Sequence, residues 1–121
     1  MVESKERHMV VKLFFQSTFR SLLGQSGSRV LEFHMARILK ADPYDVLYED
    51  PKAFCDGLKL FLGAGADALL RVIAGSIVKK YCITNLKPDD LVKLMNEGSE
   101  EAREKFLKLI GRLVENTMGR S

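Results

Sequence analysis

The sequence predicts an all-α protein, a bundle of five to six helices in a single domain that covers residues 1–121. Three observations lead to this prediction. Apolar residues recur every three to four positions in each long segment, which is the spacing of one helix face. Proline, glycine and serine residues fall between these segments, where helices begin and end. The β-branched residues lie inside the helical periods, so no segment has the pattern of a strand.

The first two helices form a predicted hairpin about Gly24. The first helix is expected over residues 4–23 and ends at Gly24, because glycine readily adopts the left-handed conformation common at helix ends. Residues 25–28 are expected to form a turn, with Ser28 as the N-cap of a second helix over residues 29–40. The apolar side of this second helix consists of Val30, Leu31, His34, Met35, Ile38 and Leu39.

A second hairpin is predicted about Gly63. Two Asp-Pro pairs, at residues 42–43 and 50–51, place a side-chain acceptor at an N-cap and a proline at the first helical position. They predict one short helical turn followed by a helix over residues 51–62. The next helix, residues 66–79, has apolar residues all round it. We expect it to be buried on most sides, with the rest of the chain packed against it.

Residues 86–118 are predicted to be a C-terminal helical pair. Pro88 begins a short helix that ends at Gly98, and Ser99 caps the last helix. The apolar stripe of the last helix consists of Ala102, Phe106, Leu109, Ile110 and Leu113. We expect this pair to pack across the two hairpins. The first or the last helix should approach residues 74–76 closely, because all three side chains there are small.

An internal repeat relates the two hairpins. Shifting the chain by 39 residues aligns residues 15–40 with residues 54–79 and produces six identities in 26 positions, where chance predicts roughly two. The identical pairs are Phe15/Phe54, Leu23/Leu62, Gly24/Gly63, Leu31/Leu70, Ile38/Ile77 and Lys40/Lys79. A period of this length is typical of duplicated supersecondary units. The sequence therefore predicts two tandem helix-glycine-helix hairpins that pack face to face with approximate twofold symmetry.

The composition, 46% hydrophobic and 29% charged, is that of an ordered globular chain. No apolar run approaches the roughly 18 residues of a membrane span, and the first ten residues are charged where a signal peptide requires an apolar segment. We therefore expect a cytoplasmic protein without a membrane partner. Cys55 and Cys82 lie far apart in apolar surroundings and are expected to be reduced thiols.

The charge is distributed unevenly along the chain. The net charge of +3 divides into +4 for residues 1–40, −4 for residues 41–70 and +3 for residues 71–121. The basic residues that could contact a nucleic-acid backbone are Lys12, Arg20, Arg29, Arg37 and Lys40. Their scatter around the helices also fits an ordinary solvated surface, and pairing of acidic with basic patches between copies is a further alternative.

Residues 42–56 form an acidic segment with two interleaved tyrosines. Paired carboxylates could hold a hard cation or perform acid–base chemistry, but capping already accounts for Asp42 and Asp50. The alternative prediction is a protein-docking edge. Its residues are Tyr44, Asp45, Tyr48 and Glu49.

His34 is the single candidate cofactor ligand. A histidine in an apolar stripe could bind haem or a metal, or act as a pH-sensitive group. Its counterpart in the repeat is Ile73, however, and no second ligand lies at suitable spacing, which favours a structural role. Residues 62–67 contain two glycines before a helix and could hold an anion, but Asp67 would repel it. We predict no catalytic residue, no metal site and no bound cofactor.

Three stretches carry a resemblance to known proteins: Asp-Pro-Tyr-Asp-Val-Leu at residues 42–47, Glu-Asp-Pro-Lys-Ala-Phe at residues 49–54 and Leu-Gly-Ala-Gly-Ala at residues 62–66. This pattern resembles small all-helical archaeal proteins of uncharacterised function. The resemblance covers about the middle half of the chain. It implies an archaeal source and no particular activity, and no site residue is carried over from it.

These observations favour a non-enzymatic interaction or regulatory module, expected to be a homodimer that works through helix faces. The first alternative is a small helical protein that binds nucleic acid with its basic N-terminal hairpin. The second is a pocket for a small ligand or cofactor between the hairpins, beside His34.

Overall fold

The structure is a computed structural model that describes residues 2–80 and 86–118. In these two ranges the secondary structure is helical, without a strand, and the predicted all-α class is confirmed. The six helices are α1 (Val2–Leu39), α2 (Pro43–Glu49), α3 (Pro51–Leu62), α4 (Gly65–Lys80), α5 (Pro88–Glu97) and α6 (Glu100–Met118). No helix in the described ranges is long and apolar enough to cross a membrane. Cys82 lies outside the described residues.

Gly24 divides α1 into two segments, residues 2–23 and 25–39. Its backbone is not helical (φ 77°, ψ 169°), as predicted for a helix end. The two segments turn back toward each other, because Arg20 Nε lies 3.8 Å from Glu32 Oε2. A straight helix would separate two residues at this spacing by about 18 Å along its axis.

The predicted turn over residues 25–28 is wrong, because these residues are already helical. Ser28 is fully buried, and its Oγ donates a hydrogen bond to the Gln25 carbonyl at 3.1 Å. Its hydroxyl therefore bonds back within the helix and does not cap it. One glycine with a positive φ is enough to redirect the chain, so the second segment begins without a separate turn.

The predicted caps of the shorter helices are present. Asp42 accepts a hydrogen bond from the Tyr44 backbone N–H at 2.9 Å, and Asp50 accepts one from Ala53 N–H at 3.2 Å. Ser99 Oγ accepts the Ala102 N–H at 3.0 Å. Each cap satisfies a backbone donor at the first turn of a helix.

Four phenylalanines form the centre of the core, where each is at most 2% exposed: Phe15, Phe19, Phe54 and Phe106. Phe19 packs edge-on against Phe54 with 6.0 Å between ring centroids, and Phe15 lies 5.7 Å from Phe106. These contacts join α1 to α3 and to α6. Such aromatic pairs stabilise a fold beyond the apolar area they bury.

The central position predicted for α4 is wrong. This helix buries Ala66, Leu70, Ile73, Ala74 and Ile77, but its opposite side is open and Val72 is 55% exposed. The other helices pack mainly on two helices: α1, which contacts α2, α3, α4 and α6, and α3, which contacts α1, α2, α4 and α5. A long helix folded at a glycine offers two buried sides, whereas α4 offers one.

The small residues 74–76 are approached from two directions. Ser76 lines a cavity of about 120 Å³ together with Ser17, Thr18 and Ser21 of α1. The closest neighbour of Gly75 is Pro88 at the start of α5, 3.9 Å from the position of an added Cβ. The first helix therefore lies near this site as predicted, and α5 adjoins it as well.

Candidate functional site

The candidate site is a face of the second segment of α1 that the other helices leave uncovered. It consists of Val30, Phe33, His34 and Arg37 together with Phe61 of α3, and we call it the aromatic face. The four α1 residues are spaced i, i+3, i+4 and i+7, so they lie on one side of the helix. Val30 is 54% exposed and Phe33 is 59% exposed.

Close packing against α3 determines which side of α1 is buried. A Cβ atom at Gly57 would lie 2.8 Å from Leu39 Cδ2 and 3.5 Å from Met35 Cε, so α3 approaches this side of α1 closely and a larger residue at 57 would require the Leu39 side chain to shift. Leu31 and Met35 are buried, at 6% and 0% exposure. The helix is thereby rotated so that Val30 and Phe33 point away from the core.

Planar groups on the aromatic face contact one another in series. The Arg37 guanidinium carbon lies 5.6 Å from the centroid of the Phe33 ring, a cation–π distance. Phe33 meets His34 edge-on at 5.4 Å, and His34 stacks on Phe61 at 4.8 Å with 18° between the ring planes. The result is a preordered set of rings at the surface.

Three cations lie on the stretch of chain that carries the aromatic face. Arg29 and Arg37 are exposed on the second segment of α1, and Lys40, the residue directly after this segment, is exposed as well. The one carboxylate between residues 25 and 40, Glu32, is turned to the other side, where it accepts a hydrogen bond from Tyr44 Oη at 2.8 Å and lies near Arg20. Burial and this bond raise the pKa of Tyr44, so the phenol stays protonated. No acidic side chain of this segment therefore opposes an anion at the face.

The predicted place of His34 in the buried stripe is wrong, because His34 is exposed and its ring lies between those of Phe33 and Phe61. Val30 is likewise exposed rather than buried. Among the described residues no group of three His, Cys, Asp or Glu side chains could hold a metal. Cavities of about 190 and 120 Å³ lie elsewhere and do not include His34, so these cavities do not support a ligand pocket beside it.

A second polar cluster, which we call the His8 cluster, joins the start of α1 to α2 and α6. His8 Nε2 lies 2.8 Å from Asp45 Oδ1, and the His8 ring stacks on Tyr48 at 4.3 Å with 8° between planes. Arg7 donates to Tyr48 Oη and to Glu104 Oε1, each at 3.2 Å. The bond to Tyr48 raises the pKa of Arg7. The polar groups of the His8 cluster bond to one another, so the cluster joins α1, α2 and α6.

The predicted docking edge is largely occupied by contacts within the chain. Tyr44 is 3% exposed and Tyr48 is 8% exposed, so both rings belong to the core. Asp45 is paired with His8 and Lys12, which leaves Glu49 as the exposed member. A partner at this edge would meet carboxylates and no tyrosine ring.

The five basic residues proposed to contact nucleic acid separate into two groups. Lys12 Nζ lies 3.2 Å from Asp42 and 3.4 Å from Asp45, and Arg20 pairs with Glu32. Burial lowers the pKa of Lys12, but these carboxylates outweigh it and leave the pKa raised. The other group consists of Arg37 on the aromatic face and of Arg29 and Lys40 nearby in the chain. The structure thus separates these three from the two that are paired with carboxylates.

Phe33 is the member of the site that sequence reasoning missed. The available signal is its position outside the predicted apolar stripe, followed at i+4 by Arg37. One exposed aromatic residue is ordinary, but an aromatic residue and an arginine at i and i+4 lie on the same side of a helix, where they can contact each other. The stacking of Phe61 on His34 depends on a contact between α3 and α1 that no local pattern contains.

Comparisons of the chain with protein-family models, with curated proteins and with solved structures found no match.

Proposed function

We propose that this protein is a non-enzymatic binding module and that the aromatic face is the surface by which it binds its partner. The observation that carries this proposal is the continuous contact from Arg37 through Phe33 and His34 to Phe61, with Phe33 more than half exposed. Single exposed apolar residues are ordinary on protein surfaces. A connected series of rings with a cation at one end, in contrast, offers a partner several aromatic contacts and a positive charge on one surface.

Two energetic features support the proposal. Full burial of an exposed Val or Phe side chain contributes roughly 1.5–3 kcal/mol. Val30 and Phe33 are each a little over half exposed, so covering them contributes about half of that per residue. The contacts between the rings already restrict their rotamers, which lowers the entropy lost on binding. The face is therefore ready to bind without rearrangement of α1.

We propose further that the scaffold arose from two tandem hairpins. Gly24 and Gly63 both have positive φ, 77° and 59°. The aligned residues Phe15 and Phe54 are each 1% exposed, and Leu31 and Leu70 are both buried. These agreements support a duplication. The exposure of His34 against the burial of Ile73 shows where its two halves differ.

The homodimer and the cytoplasmic location remain parts of the proposal. We do not assign the dimer to the aromatic face, because a second copy there would bring Arg29, Arg37 and Lys40 of both chains together. Light scattering on the purified protein in low and high salt measures the mass directly. A monomer under both conditions removes the dimer and leaves the binding proposal intact.

Site-specific photocrosslinking tests the proposal. A benzoylphenylalanine replaces Phe33 in one protein and Val72, which is 55% exposed on α4, in a matched control. We expect a discrete adduct in cell extract from position 33, absent from position 72 and weakened by Arg37→Ser. Equal labelling from both positions would mean that the aromatic face is ordinary surface.

A further inference from the structure

We infer that the occupant of the aromatic face is single-stranded nucleic acid, with unpaired bases on its rings and phosphates on the adjacent cations. This inference rests on the proposed function and names the partner class for the same surface. It uses the three cations that the structure leaves at this face, Arg29, Arg37 and Lys40, and not Lys12 or Arg20, which are paired with carboxylates.

The rings match the requirements for stacking with bases. Proteins that bind single strands combine aromatic side chains, on which any base can stack, with a positive path for the backbone. Phe33 is 59% exposed and is held by Arg37 from one side and by His34 from another. A base that stacks here meets a surface whose orientation is already determined.

The cations follow the aromatic face along its length. Arg29 and Arg37 are separated by about 12 Å along the helix axis, and Lys40 directly follows the last helical residue, Leu39. Glu32 is directed toward Tyr44 on the other side of the helix, so the carboxylate of this segment does not face the phosphates. Arginine also stacks on bases while it binds phosphate, which suits the position of Arg37 over Phe33.

Two other occupants are less favoured by the same observations. Bases in a duplex are stacked on one another and cannot reach Phe33, so duplex binding would use the cations alone. A stable protein interface buries roughly 800 Å² on each partner and centres on apolar anchors. The exposed apolar side chains on the α1 part of this face are Val30 and Phe33, which form a small core for such an interface.

Fluorescence anisotropy with labelled oligouridine and oligothymidine of about 12 nucleotides tests the inference on the full chain. We expect saturable binding at about 0.05 M salt that weakens roughly 20-fold by about 0.2 M, as three phosphate contacts require. Phe33→Ala should lower the affinity roughly tenfold through lost stacking. Arg37→Ser should lower the affinity and also reduce the salt dependence by about one contact.

Matched controls distinguish the effect of the aromatic face on affinity from the effect of removing any exposed apolar side chain or cation. Val72→Ala removes an equally exposed apolar side chain, and Lys108→Ser removes an exposed cation of α6. Both should bind as the unsubstituted protein does. Because the substituted residues lie at the surface, we expect every variant to fold. Circular dichroism melts check this expectation.

Three outcomes would overturn the inference: no binding of either strand at low salt, unchanged affinity of Phe33→Ala, or tighter binding of the matching duplex. The photocrosslink separates this failure from that of the proposed function. An adduct from position 33 that nuclease removes supports both. A nuclease-resistant protein adduct retains the binding surface and refutes the nucleic acid, and equal labelling from positions 33 and 72 refutes both.

Discussion

The helical segments that follow Gly24 and Gly63 each come after a glycine with positive φ, but they lie in different environments. After Gly24, residues 25–39 bury Leu31 and Met35 and expose Phe33 and His34 between them. After Gly63, α4 buries Leu70 and Ala74 at the aligned positions and also Ile73, which is 2% exposed where its counterpart His34 is exposed.

The difference follows from the neighbours of each segment. α4 is contacted by α3, α5 and α1, so a wide apolar side is covered. The second segment of α1 is pressed against α3 at Gly57, which buries a narrower strip. The two aligned segments thus differ in how much of their apolar surface the neighbouring helices cover.

The largest expected effect comes from the aligned phenylalanines. Phe15→Ala and Phe54→Ala each remove a ring that is 1% exposed, and we expect each to lower the free energy of unfolding by about 3–5 kcal/mol. Urea denaturation measures both. Equal losses of unfolding free energy would show that the two aligned rings contribute equally to stability. A loss below about 1 kcal/mol for either would show that its burial is not as described.

Exchange of the residues at the aligned positions 34 and 73 tests the point where the halves differ. Ile73→His places a polar ring in the core without a partner and should cost about 2–4 kcal/mol. His34→Ile, at an exposed position, should change the free energy of unfolding by less than about 1 kcal/mol. Thermal and urea denaturation provide both values. A strong loss from His34→Ile would instead indicate a buried histidine.

The two turn glycines should respond alike to alanine. Gly24 and Gly63 have positive φ and no heavy atom within 4 Å of an added Cβ, so the cost of alanine is backbone strain alone. We expect each substitution to cost about 1–3 kcal/mol. Gly111→Ala is the matched control. An added Cβ at Gly111 also has no heavy atom within 4 Å, but Gly111 lies within the regular helix α6 and does not have a positive φ. This substitution should stabilise the protein by about 0.5–1 kcal/mol.

The smallest expected effect on the free energy of unfolding comes from ionisation of the Cys55 thiol. The residue aligned with Cys55 in the first hairpin is the half-buried Gln16. Burial raises the pKa of the Cys55 thiol from 9.0 to about 12. The unfolded chain therefore loses this proton first, and the stability that depends on the thiol is present below pH 9.0 and is lost as the pH rises toward 12.

Comparison with Cys55→Ala isolates this contribution from other groups that titrate at high pH. Relative to that variant, the unsubstituted protein should lose roughly 1 kcal/mol between about pH 8 and 10. Peptide mapping after alkylation should also show Cys55 unmodified at about pH 8 until the protein is unfolded. Rapid alkylation of the folded protein would contradict its burial.

Local patterns predicted the elements of this fold well, because their causes are local. The Asp-Pro caps at residues 42–43 and 50–51 and the helix end at Gly24 depend on a few neighbouring atoms. The error over residues 25–28 has a local cause as well, since Ser28 can cap a helix or bond back to Gln25 and burial selects the second. Turn composition alone does not separate these two possibilities.

The candidate site was less predictable. Arg29, Arg37 and Lys40 were identified as basic residues, but their separation from Lys12 and Arg20 depends on carboxylates that approach from other parts of the chain. Helical periodicity defines an apolar stripe only to within about one residue on either side. His34 and Val30 lie at that margin, where a small rotation of the helix decides between core and solvent.

The sequence by itself determined that the chain is helical, where most helices begin and end, and which phenylalanines can form a core, because spacing, caps and side-chain size are properties of short stretches. Only the tertiary structure decided that the other helices pack mainly on α1 and α3 and that one side of α4 is open. It also decided that Phe33, His34 and Phe61 meet at the surface. The physical reason is that the close approach of α3 at Gly57 selects the buried side of α1, and that contact joins residues distant in the chain.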